Sequence, residues 1–353
     1  LAITFLLTAD WQIGMRPRFL DERSAEYHRI RLDAAQRAIA YAKVRRVDFV
    51  LLAGDTFDHP LVPDALIEEV VQILAAAELP VYVLPGNHDP LRPGEVWDRA
   101  EWRNAPPNVH LCRTTDEIEL PGGAVLCPCP LTQKRSAEDP TQSIRRRTPG
   151  DERIRIGLAH GSLDRLGGKE NFPIASDRVE RAGLDFLALG DWHGLTIQGR
   201  TAFPGTHETT SFADREPGNV LFVTLESGAE PQIDVSPVGR LRWHSLNRHL
   251  ADLTDVEALE AEIQALGPIP DLVLHVKPSL GSGLTSEGRA RLKAIKERLA
   301  PAYHLQWDQD DEVPADVEMP AGLLMDVAAT LFDAGEEDAL ALLRRLVAKE
   351  QAR

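Results

Sequence analysis

The run Phe49-Val50-Leu51-Leu52-Ala53, closed by Gly54-Asp55-Thr56-Phe57-Asp58, decides how this chain is read. A short apolar run bounded by polar residues or glycine has the form of a strand, and Gly54 lets the backbone turn tightly before the carboxylate of Asp55. The same arrangement recurs four times. Ile3 to Thr8 precedes Asp10-Trp11-Gln12, and Val81 to Leu84 precedes Gly86-Asn87-His88-Asp89. Ile154 to Ala159 precedes His160-Gly161, and Phe186 to Leu189 precedes Gly190-Asp191-Trp192-His193. Ligands in open α/β sheets sit beyond the carboxyl ends of strands, so five clusters far apart in sequence can converge on one crevice.

Carboxylate, amide and imidazole groups in that setting suit a pair of divalent cations. Hydrolysis of a phosphodiester needs a water made nucleophilic near neutral pH and a clamp on the developing charge, and two metals about 3.5–4 Å apart supply both. A bridging carboxylate is the natural way to hold such a pair, and Asp55 is the candidate bridge. One Asp-x-Gln or Gly-Asp after a strand is more often a turn residue or a helix cap. Five such junctions in order are a different matter.

On these motifs the sequence resembles the calcineurin-like metallophosphoesterase family, and within it the SbcD branch of nucleases that process double-strand breaks. Three stretches carry the narrower likeness: Leu52 to Asp58, Val83 to Asp89, and Phe203-Pro204-Gly205-Thr206-His207-Glu208-Thr209-Thr210-Ser211-Phe212 with Gly218 and the strand Val220 to Leu225. The likeness covers residues 2 to 240 and thins beyond. It implies an α/β fold, a sandwich of two mixed β-sheets flanked by helices, with a small α/β cap domain and a C-terminal helical tail. The corresponding division is 1–237 for the catalytic domain, 238–310 for the cap and 311–353 for an acidic linker and C-terminal helices.

Carried over residue by residue, the resemblance implies that metal one is held by Asp10, Gln12, Asp55 and His193, and metal two by Asp55, Asn87, His160 and Asp191. His88 would lie over the scissile phosphate, steadying charge or protonating the leaving oxygen. Asp89 would fix the His88 tautomer by accepting a hydrogen bond from its ring. Arg16 and Arg18, close behind Asp10, are the candidates for touching a substrate phosphate.

Two positions depart from the family. Motif one usually reads Asp-x-His and here reads Asp10-Trp11-Gln12; motif five usually reads Gly-His-x-His and here reads Gly190-Asp191-Trp192-His193. A Gln12 amide oxygen is a neutral, weaker ligand than imidazole, whereas Asp191 replaces a neutral nitrogen by an anionic oxygen. Together they shift the site toward oxygen ligation, which points to Mn²⁺ first, with Mg²⁺ second, over Zn²⁺. The harsher alternative is a degenerate site kept only for binding.

Composition bounds the rest. The 353 residues, 43% hydrophobic and 27% charged, suffice for two or three domains. No apolar run approaches the roughly 18 residues of a membrane span, and no secretory signal is visible, so no membrane partner and a cytoplasmic location are expected. Cys112, Cys127 and Cys129 are a sparse, odd set, and Cys127-x-Cys129 lies in an apolar stretch that favours packing over metal binding. A net charge of −16 is awkward for a protein that grips DNA by itself, because phosphate neutralisation supplies most non-specific affinity. Arg145-Arg146-Arg147 reads as solvated loop charge. The deficit points to a partner that contributes DNA affinity, and the SbcD resemblance implies an SMC-like, SbcC-type ATPase.

Helices are expected from Ser24 to Arg46 and from Pro63 to Ala77. In the resembled nucleases helices at these places pair two protomers, while the same faces would serve a monomer's core equally well. Glu226 to Gly239, with Gly228, Pro231 and Pro237, reads as a join between domains. Beyond it come strand Arg240 to His244, helix Val256 to Ala265, strand Leu272 to Val276, a Gly281-Ser282-Gly283 turn, helix Ser286 to Leu299 and strand Tyr303 to Trp307. The acidic stretch Asp308 to Glu318 reads as a linker, followed by an amphipathic pair, Leu323 to Phe332 and Glu337 to Ala348, that could pack on the cap or dock the ATPase. The expected activity is metal-dependent phosphodiester hydrolysis on DNA, as exonuclease or endonuclease, in repair or end processing. A phosphoesterase acting on small nucleotides and a non-catalytic scaffold subunit are the alternatives.

Overall fold

The computed structural model describes residues 2–164, 171–281, 283–311, 319–320, 322–333, 336, 339–340, 342–344 and 346–347. Ser282, the acidic segment 312–318 and much of the second C-terminal helix expected over 337–348 lie outside the described residues. The chain divides into two compact units, Leu1–Leu241 and Arg242–Arg353.

The first unit is built on two six-stranded mixed sheets. In spatial order the first sheet runs Gln232–Pro237, Asn219–Glu226, Ala2–Thr8, Phe49–Ala53, Val81–Leu84 and Val109–Leu111. The last four strands are mutually parallel and the first two antiparallel. The second sheet runs Thr196–Gln198, Thr201–Phe203, Phe186–Gly190, Arg155–His160, Val125–Pro128 and Ile118–Glu119, with four parallel strands between two antiparallel edge strands.

Side chains on successive strand residues point to opposite faces, which explains why these strands read as continuous apolar runs: both faces are covered. Phe5, Leu7, Phe49, Leu51 and Leu84 of the first sheet meet Leu126, Ile156, Leu158 and Phe186 of the second in the inter-sheet core. Phe5 stacks on Phe49 at 5.2 Å and meets Phe186 edge-on at 5.8 Å, pairs that contribute about 0.5–1.5 kcal/mol each beyond burial. The alternate residues Leu6, Val50, Leu52 and Val83 face outward, against Leu32, Ala35, Ile39, Ile67, Val70 and Leu74 of the helices Ser24–Arg45 and Asp64–Ala75. Pro63, the expected helical start, instead ends the extended approach, and the second helix begins one residue later at Asp64.

The first helix stops where Arg46 takes a left-handed conformation, its backbone N–H capping Lys43 O. The segment expected as a join is different in the structure. Gln232–Pro237 pairs antiparallel with Asn219–Glu226 and completes the first sheet. Its glycine and prolines sit in the turn and at the strand margins, and the alternation of Ile233 and Val235 carries the strand.

The second unit has a sheet of four parallel strands, Arg242–Leu250, Leu272–Leu280, His304–Trp307 and the short Asp310–Asp311, the first three joined through the helices Leu253–Ala265 and Ser286–Arg298. The first helix opens on a capping box: Asp252 accepts from the N–H groups of Thr254 and Asp255, and Asp255 reaches back to the backbone of Asp252. Leu246, Val256, Leu259, Leu274, Val276 and Leu292 form its core. A further helix spans Leu323–Asp333. Among the described residues no helix is long and apolar enough to cross a membrane.

Candidate metal centre

In-register pairing of the parallel strands brings the five junctions together. Thr8 lies beside Leu52, Ala53 beside Leu84, and His160 beside Gly190, so the residues that follow these strands leave the sheets at one end. The turns are strained. Asp10, Gln12, Asp55 and Asp191 have φ of 52°, 40°, 49° and 97°, the left-handed region that L side chains avoid. Such conformations cost of order 1–3 kcal/mol each and persist only where the surroundings over-determine them, as functional sites do.

Asp10 and Asp55 are buried, and with His160 they place one ligand atom each within 4.8 Å of one another. The Asp10 carboxylate accepts from the Asp191 backbone N–H at 3.1 Å and 3.2 Å. Asp55 Oδ1 accepts from the His88 backbone N–H at 2.8 Å and lies 3.4 Å from His160 Nε2. Gly54 is dictated by close approach as well as by its φ of +90°, since a Cβ there would stand 2.2 Å from His160 Nδ1.

The donor set fits a cation. His160 Nδ1 faces the Ala53 carbonyl at 2.9 Å and must donate to it. Its Nε2 then faces only acceptors: Asn87 Oδ1 at 2.8 Å, Asp55 Oδ1 at 3.4 Å and Asp191 Oδ1 at 3.8 Å. Such a convergence of lone pairs needs a proton or a metal at its centre. Burial lowers the proton affinity of His160, but Asp55, Asp10 and Asp191 outweigh it and hold the ring well above the ordinary histidine range. Burial raises Asp10 to about 6, while at Asp55 burial is overcome by His160 and His88, which draw it down to about 2.

His193 shows the same ligand-like orientation. Its Nδ1 meets Thr210 Oγ1 at 2.7 Å, and that hydroxyl donates onward to Asp214 Oδ2 at 2.8 Å, so the ring Nδ1 carries the proton and Nε2 a lone pair. Gln12 Nε2 lies 3.0 Å from His193 Nε2. Turning the Gln12 amide would present its oxygen at the same place. Asp191 Oδ2 accepts from Ser162 Oγ at 2.9 Å, leaving Oδ1 toward His160.

His88 stands at the edge of this cluster with its side chain 34% exposed, open to a substrate, and its ring partner is not the expected one. Nδ1 lies 2.9 Å from the Asp58 backbone carbonyl and 3.6 Å from the Asp58 carboxylate. The bonding to Asp58, followed by the charge of Asp55, outweighs burial and raises His88 to about 9. Asp89, read from the sequence as the residue that orients His88, does something else. Its two oxygens are taken by the backbone N–H groups of Gly86 at 2.7 Å and Phe57 at 2.9 Å, and its carbonyl accepts from the Trp97 indole N–H. Neighbouring positions on a tight turn point apart, and Asp89 turns inward to tie motif three to motif two.

Arg16 is exposed and lines a cleft of about 970 Å³ whose walls include Asp58, His59, His28 and Leu66. Arg18 is also exposed but does not line that cleft. Arg147 is half-buried rather than solvated, donating to the Gly183 carbonyl at 2.8 Å and pairing with Asp185. Cys112, Cys127 and Cys129 are free and buried, and burial pushes their thiols up to about 12, 11 and 12. The sequence offered two unused signals. Asp58 closes the second motif, and Thr210 lies in the stretch Phe203 to Phe212. Asp214, two residues further on, carried none.

Comparison with known proteins gives the family. The profile of the calcineurin-like phosphoesterase family matches residues 3–195, and the chain belongs to that family. Among curated relatives, the uncharacterized metallophosphoesterase YhaO of Bacillus subtilis (strain 168) is 32% identical over 169 residues, 45% of this chain and 40% of that protein. The DNA double-strand break repair protein Mre11 of Thermoplasma acidophilum is 38% identical over 91 residues, 25% of this chain and 23% of that one. Its namesake in Aeropyrum pernix is 27% identical over 267 residues, 70% of this chain and 64% of that one. The matched segments thus span less than two thirds of each relative's own length. These similarities accord with the SbcD-like branch of the family.

Proposed function

We propose that this chain is a two-metal DNA nuclease of the SbcD type. The observation that carries metal-dependent hydrolysis is the convergence of His160 Nε2, Asn87 Oδ1 and Asp55 Oδ1, three acceptors in one buried place, beside His88 held by Asp58. Asp10, Gln12, Asp55 and His193 would hold one cation; Asp55, Asn87, His160 and Asp191 would hold the other. Mn²⁺ is the proposed metal, because five of these seven side chains offer oxygen. When bound, the two cations supply the activated water and the charge neutralisation that phosphodiester hydrolysis needs.

The protein's own groups supply the rest. His88 presents an imidazolium, held by Asp58, that can steady the phosphate and protonate the leaving oxygen. Asp89 keeps the motif-three turn in place through the Gly86 and Phe57 amides. Arg16 stands in the adjoining cleft as a phosphate contact. DNA as substrate is supported by the two relatives described as double-strand break repair proteins. With a net charge of −16, a partner that adds DNA affinity, an SMC-like ATPase, belongs to the same proposal, as do pairing of two protomers, a cap role for 238–310 and a cytoplasmic location.

Incubation of the purified chain with single-stranded DNA, double-stranded DNA, a generic phosphodiester and free nucleotides, with and without Mn²⁺, tests this. Mn²⁺-dependent cleavage of DNA is expected. Turnover of free nucleotides alone would remove the nuclease assignment, and no turnover with any divalent metal would remove the enzymatic one.

A further inference from the structure

We infer that Arg31 is a positioning residue for metal one, acting through the Trp11 carbonyl; this rests on the two-metal reading above. Arg31 lies on the helix Ser24–Arg45 and is fully buried. Among the described ion pairs none involves Arg31; its hydrogen bonds go to backbone carbonyls and a hydroxyl, and the buried Glu208 carboxylate lies near enough to feel its charge. Nε, at 3.2 Å, and Nη2 both donate to the Trp11 carbonyl. Nη1 donates to the Glu208 carbonyl at 2.9 Å and to the Tyr27 hydroxyl at 3.1 Å.

Both ends of that fork lead to metal one. Trp11 stands between Asp10 and Gln12, two proposed ligands with φ of 52° and 40°. On one side this strained turn is pinned to motif two, where the N–H of Gln12 donates to the Asp55 carbonyl at 2.8 Å and that of Asp10 to the Gly54 carbonyl at 3.2 Å. On the other side Arg31 holds the intervening carbonyl. The second branch of the fork grips the segment that carries Thr210, the hydroxyl that orients His193. Tyr27 reinforces that branch by donating to the Thr209 carbonyl at 2.7 Å, and Thr206 Oγ1 lies 2.8 Å from the Asp10 carbonyl.

Arg31 therefore ties the turn bearing Asp10 and Gln12 to the segment bearing Thr210, which orients His193; these three ligands, Asp10, Gln12 and His193, serve metal one alone. Asn87, His160 and Asp191, which serve metal two alone, receive none of its hydrogen bonds. A buried guanidinium spent on carbonyls is expensive for stability, and a planar fork can hold two carbonyls at a fixed separation where an ammonium cannot.

The test is two-site Mn²⁺ titration by calorimetry on the full chain, with Arg31→Met, Arg31→Lys and, as a control for losing a buried arginine elsewhere, Arg155→Met. Arg31→Met should weaken one Mn²⁺ site by about 10- to 100-fold, the range for losing a group that orients ligands, and leave the other within about twofold. Arg31→Lys should fall between, with turnover restored at saturating Mn²⁺, and Arg155→Met should leave both sites unchanged. Equal weakening of both sites, or two unchanged sites, in Arg31→Met overturns the inference. Should that variant not fold, Arg31→Lys decides alone: one site weakened several-fold supports the inference, and two unchanged sites overturn it. A wild-type chain that binds fewer than two equivalents sinks the two-metal reading itself, which is a different failure.

Discussion

Asp58 holds the ring of His88: its backbone carbonyl lies 2.9 Å from Nδ1 and its carboxylate 3.6 Å away. Because the carbonyl must accept, Nδ1 carries a proton in every state, and Nε2 is the nitrogen presented to substrate. His88→Ala should lower turnover by about 10²- to 10⁴-fold, the range for a lost general acid. It should keep its Mn²⁺, since His88 donates to Asp55 only through its backbone. Asp58→Asn retains the carbonyl and loses the charge, so about a tenfold loss is expected. Steady-state turnover with parallel metal titration checks this; loss of metal from His88→Ala would show that the ring is a ligand.

Gln12 and Asp191 are the unusual members of the site, and on the proposed ligand sets they would make the two metals unequal. Metal two would gain an anionic oxygen from Asp191, whereas metal one would have a neutral amide where imidazole is usual, so metal one should be the more exchangeable. Activity should go on rising well after the first equivalent of Mn²⁺ is bound. Gln12→His should tighten the second binding event and favour Zn²⁺, and Asp191→His should weaken metal two for Mn²⁺. Anomalous scattering from crystals of the three proteins reads the occupancies. Identical occupancy throughout would mean that neither side chain touches a metal.

Gly86 has no space for a side chain. A Cβ there would stand 2.1 Å from Asp55 Oδ1 and 2.3 Å from the Asp55 backbone nitrogen. Gly86→Ala should cost about 1–3 kcal/mol by overpacking and displace the Asp55 carboxylate, the proposed bridge, so that both metals bind more weakly. Urea unfolding together with Mn²⁺ titration tests it. Wild-type metal binding in a destabilised variant would show that the turn yields without moving Asp55.

His207 ties acid stability to the same region. Its Nε2 lies 2.9 Å from the Arg31 carbonyl and must donate, which leaves a buried, unpartnered Nδ1. Burial, then the charges of Arg31 and Arg37, hold its proton affinity well below the ordinary value of 6.5. The folded chain keeps the ring neutral while the unfolded chain protonates it below that pH. Its contribution is therefore complete above 6.5 and lost as pH falls toward the folded value. Relative to His207→Phe, the wild type should lose up to about 1.4 kcal/mol per pH unit below that point. Unfolding free energies of both proteins at neutral pH and about one unit below 6.5 decide it. Parallel pH dependence in the two would show that His207 is not the group responsible.

Much of this protein is legible along the chain. The strands Phe49–Ala53 and Val81–Leu84 are readable to the residue because both faces are buried, so every position must be apolar and the run ends where the backbone meets the site. The short strands Val109–Leu111, Ile118–Glu119 and Thr201–Phe203 are not, since three residues or fewer carry no period. Gln232–Pro237 is hidden by its flanking glycine and prolines, and only its pairing with Asn219–Glu226 identifies it.

The residue types that could bind metal follow from the sequence, because a carboxylate, amide or imidazole just after a strand is a local feature. What surrounds them does not. Whether Asp58 or Asp89 holds the His88 ring depends on which way each side chain leaves a tight turn, and only the packing of Phe57, Gly86 and Trp97 around Asp89 settles it. Arg31 looks like any helical arginine until the fold buries it between Trp11 and Glu208, which stand 20 and 177 residues away. Local chemistry is written residue by residue, whereas the partners that orient it are chosen by contacts between distant segments, and those exist only once the sheets have paired.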